Sequence, residues 1–321
     1  MKKLSICIPT YKRSSYLDGL LSSLTDQVQA LDSPEEVEIL VSDNCSPDAT
    51  GAVAAKYGSH IRYWRNIENI GPDANFLKLF SEAEGEYIWL PGDDDTVRND
   101  TVAYLLMMIE NEKFDYLYLK TSGLVEKPFN QRGAISVVNY ELLEKVNIFT
   151  TFMTSQVIRS KLIKVNLSEA RNYLGGFMAY YWLFLEALHS SKVCLISGER
   201  EVYPEGENTG GYRFYNVWAV AVFDILNASS FGNQHKIISY IKYRMFMAIL
   251  MPVTFTLRTG GSGFRFQDEN PMESLKKYFG NFWYRIISRI YLTVNTPALR
   301  IVHFFFRAVG RIVRGFKRDV F

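Results

Sequence analysis

Hydrophobic and polar positions along this chain switch repeatedly between two periods. Leu4-Ser5-Ile6-Cys7-Ile8-Pro9 is short, mostly apolar and ended by proline, the pattern of a buried strand. From Ser14 to about Asp26, leucines at 17, 20, 21 and 24 share one helical face. Val37-Glu38-Ile39-Leu40-Val41 predicts a second strand, running into the turn-rich Ser42-Asp43-Asn44-Cys45-Ser46-Pro47-Asp48 and then a helix from about Ala49 to Tyr57. Ile61 to Trp64 predicts a third strand, Asn66 to Gly71 a polar loop, and Pro72 a helix start, because proline there forfeits no needed donor. A strand at Tyr87 to Leu90, a helix from about Val97 to Glu110 and a strand at Tyr116 to Leu119 follow. Strands separated by helices imply an α/β fold, a mostly parallel sheet flanked by helices.

Beyond Thr121 the alternation weakens. Asn172 to Gly176 reads as a turn, Phe177 to Leu188 as a strongly apolar helix, Val193 to Ile196 as a strand, and Pro204 to Tyr212 as a polar loop able to close over a ligand. Helical stretches at Tyr215 to about Ser229 and Lys236 to Thr256 precede a glycine-rich break. The expected divisions are 1–120 and 121–214 as two halves of one domain, 215–258 as a helical segment, 259–271 as a flexible linker, and 272–321 as amphipathic helices. There is no internal repeat.

With 321 residues and 48% hydrophobic content, the chain buries a full core. Its formal charge of +2 conceals a basic tail: residues 276–318 hold ten Lys or Arg and no Asp or Glu. The 3 cysteines are far apart and lack metal or disulfide spacing, which fits a reducing, cytoplasmic setting. Leu4 to Ile8 is too short for a signal-peptide core, and the most apolar run, Phe246 to Leu257, is interrupted by Pro252, so no transmembrane helix is expected. His60, His189, His235 and His303 have no ligand spacing and read as structural or surface residues.

The chemistry concentrates where strands end. In open α/β sheets ligands sit outside the carboxyl ends of the strands. Thr10 and Tyr11 follow the first strand, Asp43 the second, and Asp93-Asp94-Asp95 the fourth, so all three groups face one edge. Three adjacent carboxylates repel one another unless a cation sits among them, and Mg²⁺ or Mn²⁺ held by one or two carboxylates and by substrate phosphates is the usual arrangement. Asp93 and Asp95 are the candidate ligands, with Asp94 turned toward ribose or phosphate. The plain alternative is an Asp-rich turn capping the next helix. Tyr11 is placed to stack on a base and Asp43 to accept from a base N–H, while Asp48 also suits a helix cap.

At these positions the chain resembles the family 2 glycosyltransferases of the GT-A fold. The matching pieces are Ile8-Pro9-Thr10-Tyr11-Lys12-Arg13, Val41 to Thr50, Asn69-Ile70-Gly71-Pro72-Asp73-Ala74-Asn75-Phe76 and Gly92 to Asp95, covering roughly residues 1–120. The third piece also resembles the branch containing abequosyltransferases of O-antigen assembly. The resemblance implies a GT-A domain with a helical C-terminal extension. It implies a nucleotide-sugar donor held by Pro9, Thr10, Tyr11, Arg13, Asp43, Asn69, Asn75, Asp93 and Asp94, with Asp95 and Asp93 on the metal. Arg213 is a further candidate for the diphosphate.

Many members place an acidic pair in the second half, and no such pair stands between residues 121 and 211. Glu186 is the candidate base, with Glu205 and Glu207 as rivals; a base must reach the hydroxyl it deprotonates. In the tail, Phe279, Phe282, Trp283, Ile286, Ile290 and Tyr291 recur at helical steps beside Arg285 and Arg289, and a second such stretch follows from Phe304 to Phe316. Basic, aromatic-rich amphipathic helices lie on anionic membrane surfaces, with packing on the domain or on another subunit as the alternative. No nucleic-acid motif accompanies the charge. The expected protein is a cytoplasmic glycosyltransferase, peripheral on the inner face of the membrane, acting on a lipid-linked saccharide. A sugar nucleotidyltransferase or a non-catalytic assembly subunit are the alternatives.

Overall fold

The structure, a computed structural model, describes residues 1–121, 133–203, 211–260 and 266–318, the side chains of 199–201 and 309–318 excepted. The chain forms two compact units, Met1–Gly206 with Ile225–Ile237, and Glu207–Asp224 with Ile238–Phe321.

In the first unit, β1 (Leu4–Thr10) pairs in parallel with β2 (Val37–Asp43) and β4 (Tyr87–Trp89), and β2 pairs in parallel with β3 (Arg62–Arg65). β1, β2 and β4 are buried throughout, as the short apolar runs require. The intervening helices are α1 (Ser14–Gln29), α2 (Thr50–Lys56) and α3 (Pro72–Glu82), and α1 buries Leu17, Leu20, Leu21 and Leu24. Gly85 precedes β4 because the strand pair closes over it: a Cβ there would meet the Ser5 backbone nitrogen at 2.6 Å.

The second half departs from the expected mostly parallel sheet. After β5 (Thr96–Val97) and α4 (Thr101–Glu112) come β6 (Tyr116–Thr121), β7 (Ala134–Val137), α5 (Asn139–Val146), β8 (Gln156–Arg159), α6 (Ser160–Lys164), α7 (Leu167–Ala170), α8 (Ala179–Ser190) and β9 (Cys194–Tyr203). The sheet is mixed: its order is β3-β2-β1-β4-β8-β6-β9-β5, with β7 also on β9. β8 runs antiparallel to both β4 and β6, and β5 and β7 run antiparallel to β9. Residues 96 and 97 therefore extend the sheet, and the helix expected from Val97 begins at Thr101.

The second unit is helical. A π-helical turn at Asn216–Ala221 leads into α9 (Val222–Ala228), whose end, with the segment to Ile237, belongs to the first unit. One continuous run, His235–Thr259, comprises α10 (His235–Met245), a π-helical turn (Phe246–Leu250) and α11 (Met251–Thr259). By length and composition it is the one helix among the described residues able to cross a membrane, and 39% of its most apolar stretch is buried within the protein. Its buried residues, Ile238, Ile241, Met245, Phe246, Leu250, Met251 and Thr254, recur at three- to five-residue steps, the pattern of a helix packed on a core.

Part of the expected linker is packed. Gln267 N–H donates to Tyr212 O (3.0 Å), and the Glu269 carboxylate accepts from the N–H groups of Tyr215 (2.6 Å) and Asn216 (2.9 Å), capping the π-helical turn. Residues 261–265 lie outside the described residues. α12 (Pro271–Phe279), α13 (Phe282–Thr293) and α14 (Thr296–Arg318) follow. Asn270, Asn281 and Asn295 cap their first turns by accepting from Met272, Tyr284 and Ala298 N–H, each at 3.1 Å. Leu275, Phe279, Tyr291 and Leu299 turn inward.

Candidate active site

Parallel register brings the predicted residues to one edge. Thr10 pairs with Asp43, and Asp43 with Arg65, so the loops after β1, β2 and β3 leave the sheet side by side. Asn44 N–H continues the ladder to Thr10 O (3.0 Å) and Asn66 N–H to Asp43 O (2.8 Å). β4, in parallel register with β1, sends Leu90 to Asp95 to the same edge.

The three aspartates are held by different partners. Thr10 Oγ1 donates to Asp93 Oδ2 at 2.7 Å, and Arg13 Nη1 stands 3.5 Å from Asp93 Oδ1 while pairing with Asp94 Oδ2. Asp94 thus turns to Arg13. Asp95 accepts from Thr154 Oγ1, and Thr154 Oγ1 in turn accepts from Gly92 N–H at 2.9 Å. The carboxylates fold back over Gly92, where a Cβ would meet Asp95 Oδ2 at 2.8 Å and Asp94 Oδ1 at 3.2 Å, so any larger residue there would push these carboxylates aside.

Thr154 is the residue that sequence reasoning missed. It precedes β8, whose antiparallel course returns the start of that strand to the end of β4, and Trp89 Nε1 fastens it there by donating to Thr154 O at 2.7 Å.

Asp93 and Asp95 are both buried, and burial pushes each carboxyl up to about 7. Arg13 and the Thr10 hydroxyl oppose the rise at Asp93, and Thr154 opposes it at Asp95. Asp93 and Asp94 share the Arg13 guanidinium and Asp95 has only a hydroxyl partner, so the cluster calls for more positive charge. Among the described residues no group of three His, Cys, Asp or Glu side chains forms a closed metal cage. The hard oxygen donors present fit a divalent ion whose remaining ligands come from phosphate and water.

On the other side of the edge, Asp43 is at the predicted place, with its carboxylate engaged by protein donors. It is fully buried, with Oδ1 accepting from Ser46 N–H (2.8 Å) and Oδ2 from Tyr63 Oη (2.9 Å). Its carboxylate organises the 44–46 loop. Tyr11 is exposed beside Lys12, and its hydroxyl is pulled below its ordinary range by Asn69 and Lys12. Asn69 accepts from Asn44 Nδ2 and Gly71 N–H (both 2.9 Å). Asn75 accepts from Ser42 Oγ (2.6 Å) and Asn66 Nδ2 (2.9 Å) and donates to Ser42 O (3.0 Å). These two asparagines tie the 66–71 loop to β2. Pro9 is buried within β1, and Asp48 caps α2 through Thr50 while accepting from Ser14 N–H (3.2 Å).

The candidate base Glu186 is held by a neighbouring loop. It lies in α8 with both oxygens engaged, by Ser230 N–H at 2.7 Å and Ser230 Oγ at 2.6 Å. Its rivals Glu205 and Glu207 lie outside the described residues. Arg213 is exposed in the second unit, with no ion pair among the described residues.

The family model for glycosyl transferase family 2 matches residues 5–162, the stretch that contains every element of this edge from β1 to β8. The chain carries a family 2 glycosyltransferase domain. Abequosyltransferase RfbV of Salmonella typhimurium strain LT2 is 40% identical over 118 residues, 36% of this chain and 34% of that protein. The poly(ribitol-phosphate) beta-N-acetylglucosaminyltransferase TarS of Staphylococcus aureus strain Mu50 is 26% identical over 252 residues, 71% of this chain and 41% of that protein. The chain thus spans well under half the length of these curated relatives.

Solved structures show the same fold around the family 2 domain. S. aureus TarS 1–349 in complex with UDP-GlcNAc superposes with a TM-score of 0.62 at 19% identity, covering 95% of this chain and 87% of that one. The mannosyltransferase PcManGT of Pyrobaculum calidifontis, in complex with GDP-Man and Mn²⁺, gives 0.52 at 13% identity, covering 95% and 84%. The GT-A architecture with a helical C-terminal region, expected from the sequence, is the one observed.

Proposed function

We propose that the chain transfers a sugar from a nucleotide-sugar donor to a hydroxyl of a growing surface glycan, with a divalent cation, Mn²⁺ or Mg²⁺, bound at Asp95 and Asp93. The observation that carries this reading is the cluster at the β4 edge, where Asp93 and Asp95 are buried and the Arg13 guanidinium pairs with Asp93 and Asp94 but not with Asp95. TarS with UDP-GlcNAc and PcManGT with GDP-Man and Mn²⁺ support a nucleotide-sugar and a metal on this fold. The poly(ribitol-phosphate) in the name of TarS supports a polymeric acceptor, and a lipid-linked saccharide is the acceptor we favour.

When bound, the cation supplies charge neutralisation to a departing diphosphate. The chain's own residues do the rest. Thr10 and Thr154 fix the two outer carboxylates and favour their charged forms, and Arg13 occupies Asp94. The exposed Tyr11 ring offers a face on which a base stacks. The loops pinned by Asp43, Asn69 and Asn75 set the walls beside it, so the donor meets a preorganised edge.

Calorimetry with UDP, CDP, GDP and dTDP, each with and without Mn²⁺, tests this reading. One nucleoside diphosphate is expected to bind in a metal-dependent way, and Asp95→Ala to abolish that binding and transfer alike. Full transfer by the Asp95→Ala protein would sink the metal assignment. Release of pyrophosphate from a nucleoside triphosphate, in place of nucleoside diphosphate from a sugar nucleotide, would mark a nucleotidyltransferase.

A further inference from the structure

Among the described residues, the helices α13 and α14 bury one face each and leave the other exposed. Ser288 and Tyr291 on α13, and Leu299 and His303 on α14, turn into the second unit. On the outer faces stand Phe282, Trp283, Ile301, Phe304 and Phe305, between 62% and 70% exposed, joined by Ile286. Isolated exposed apolar side chains are ordinary, but clustered large aromatics mark an interaction surface. The spacing is helical on both elements: 282, 283 and 286 on α13, and 301, 304 and 305 on α14.

Charge decides which occupant fits. Arg285, Arg289, Arg300 and Arg307 are exposed on the same two helices, and none of them has an ion pair among the described residues. From 276 to 318 no acidic residue is present to pair with them. A second copy of this chain docked through the same two helices would bring like charge against like charge, which costs affinity. A surface of anionic headgroups over an apolar layer matches both features, since arginines reach the phosphates while phenyl and indole rings enter the interface. The same unit holds a groove of about 460 Å³ between α10–α11 and α14, with Met247, Phe255 and Phe306 among its apolar walls and Arg244 and Arg307 beside them. That is room for an acyl chain next to a negatively charged head.

We propose that the outer faces of α13 and α14 dock the protein on an anionic lipid surface, with Phe282, Trp283, Phe304 and Phe305 inserted and the four arginines over the headgroups. This inference is independent of the chemistry at the sheet edge. Its test uses the full chain and no sugar nucleotide, so the outcome leaves the transferase reading untouched.

The test is flotation with vesicles of phosphatidylcholine alone and of equimolar phosphatidylcholine and phosphatidylglycerol. The unmodified chain is expected to float with the anionic vesicles, less with the neutral ones, and less at high salt. Replacing the four arginines by glutamine should strongly reduce the anionic preference, each arginine being worth about fivefold in partitioning. A variant with Phe282→Ser, Trp283→Ser, Phe304→Ser and Phe305→Ser should lose at least about tenfold. These side chains are exposed, so circular dichroism of that variant should match the parent. Failure of the unmodified chain to float with anionic vesicles, or equal flotation of the serine variant, overturns the proposal. So does a dimer seen by light scattering that the serine substitutions abolish while flotation is unchanged, because the face would then belong to a second copy.

Discussion

Thr154 donates its hydroxyl to Asp95 and accepts, at 2.9 Å, from the N–H of Gly92, so one side chain from the start of β8 both charges the carboxylate and fixes the loop that carries it. Thr154→Val removes both links at nearly constant volume. A buried N–H loses its acceptor, costing about 1–3 kcal/mol of stability. Asp95 loses a hydrogen bond that favours its charged form, so its carboxyl rises further above the ordinary range. The expected result is a pH profile of donor turnover displaced to higher pH, together with a lower melting temperature. Thr154→Ser should restore both, and an unshifted profile in the valine variant would count against the role of Thr154.

The buried carboxyls also set how stability depends on pH. Asp93 and Asp95 rise from 3.8 to about 7 on folding, so the folded chain binds more protons than the unfolded chain between those values. Their contribution to metal-free stability is therefore fully present below about pH 4 and is lost as pH rises through about 7. The loss is on the order of a few kcal/mol for each of the two groups. Asp95→Asn cannot ionise, so it should melt higher than the parent at about pH 8, with the gap closing toward about pH 5. Mn²⁺ should raise the melting temperature of the parent and not of Asp95→Asn. Parallel melting curves for the two proteins across this range would refute the assignment.

How far this site could be read in advance depends on what hydrophobic periodicity carries. β1, β2 and β4 are buried on both faces, so their short apolar runs were legible, and the rule that ligands gather at strand ends then placed Thr10, Asp43 and Asp93–Asp95 at one edge. A run of four residues such as Gln156–Arg159 carries no mark of its direction, and the antiparallel course of β8 is what brings Thr154 to Asp95. Asp43 ends a strand and read as an open acceptor, but its covering partner Tyr63 comes from the next strand, a tertiary contact that no local pattern encodes. Asp73 was legible only as an acid in the first turn of a helix, whereas its partners lie more than a hundred residues away.

Asp73 accepts from the N–H groups of Gly175 (2.8 Å), Phe177 (2.9 Å) and Ala179 (3.0 Å), so it closes the left-handed turn before α8 and caps that helix. Burial pushes its carboxyl upward against these three donors. Asp73→Ala orphans all three, and the expected loss is about 3 kcal/mol or more. Chemical denaturation should show a lower midpoint with an unchanged slope. An equal midpoint would mean that the turn holds without its cap.

Glu186 separates a structural acid from a catalytic one. Its oxygens are engaged by Ser230 N–H and Oγ, and a base so engaged would have to leave both partners before taking a proton. In Glu186→Gln the amide oxygen still accepts from the Ser230 N–H, and the amide nitrogen can donate to the Ser230 hydroxyl in place of the lost acceptor. The expected cost in stability is therefore below about 1 kcal/mol, and transfer should remain within about threefold of the parent. A general base contributes typically 10²–10⁴-fold, a range that this expectation does not overlap. Measuring turnover of the glutamine variant alongside its melting temperature decides the matter: a hundredfold loss of transfer in a protein that melts normally would return Glu186 to the reaction, whereas retained transfer directs the search for the base to side chains outside α8.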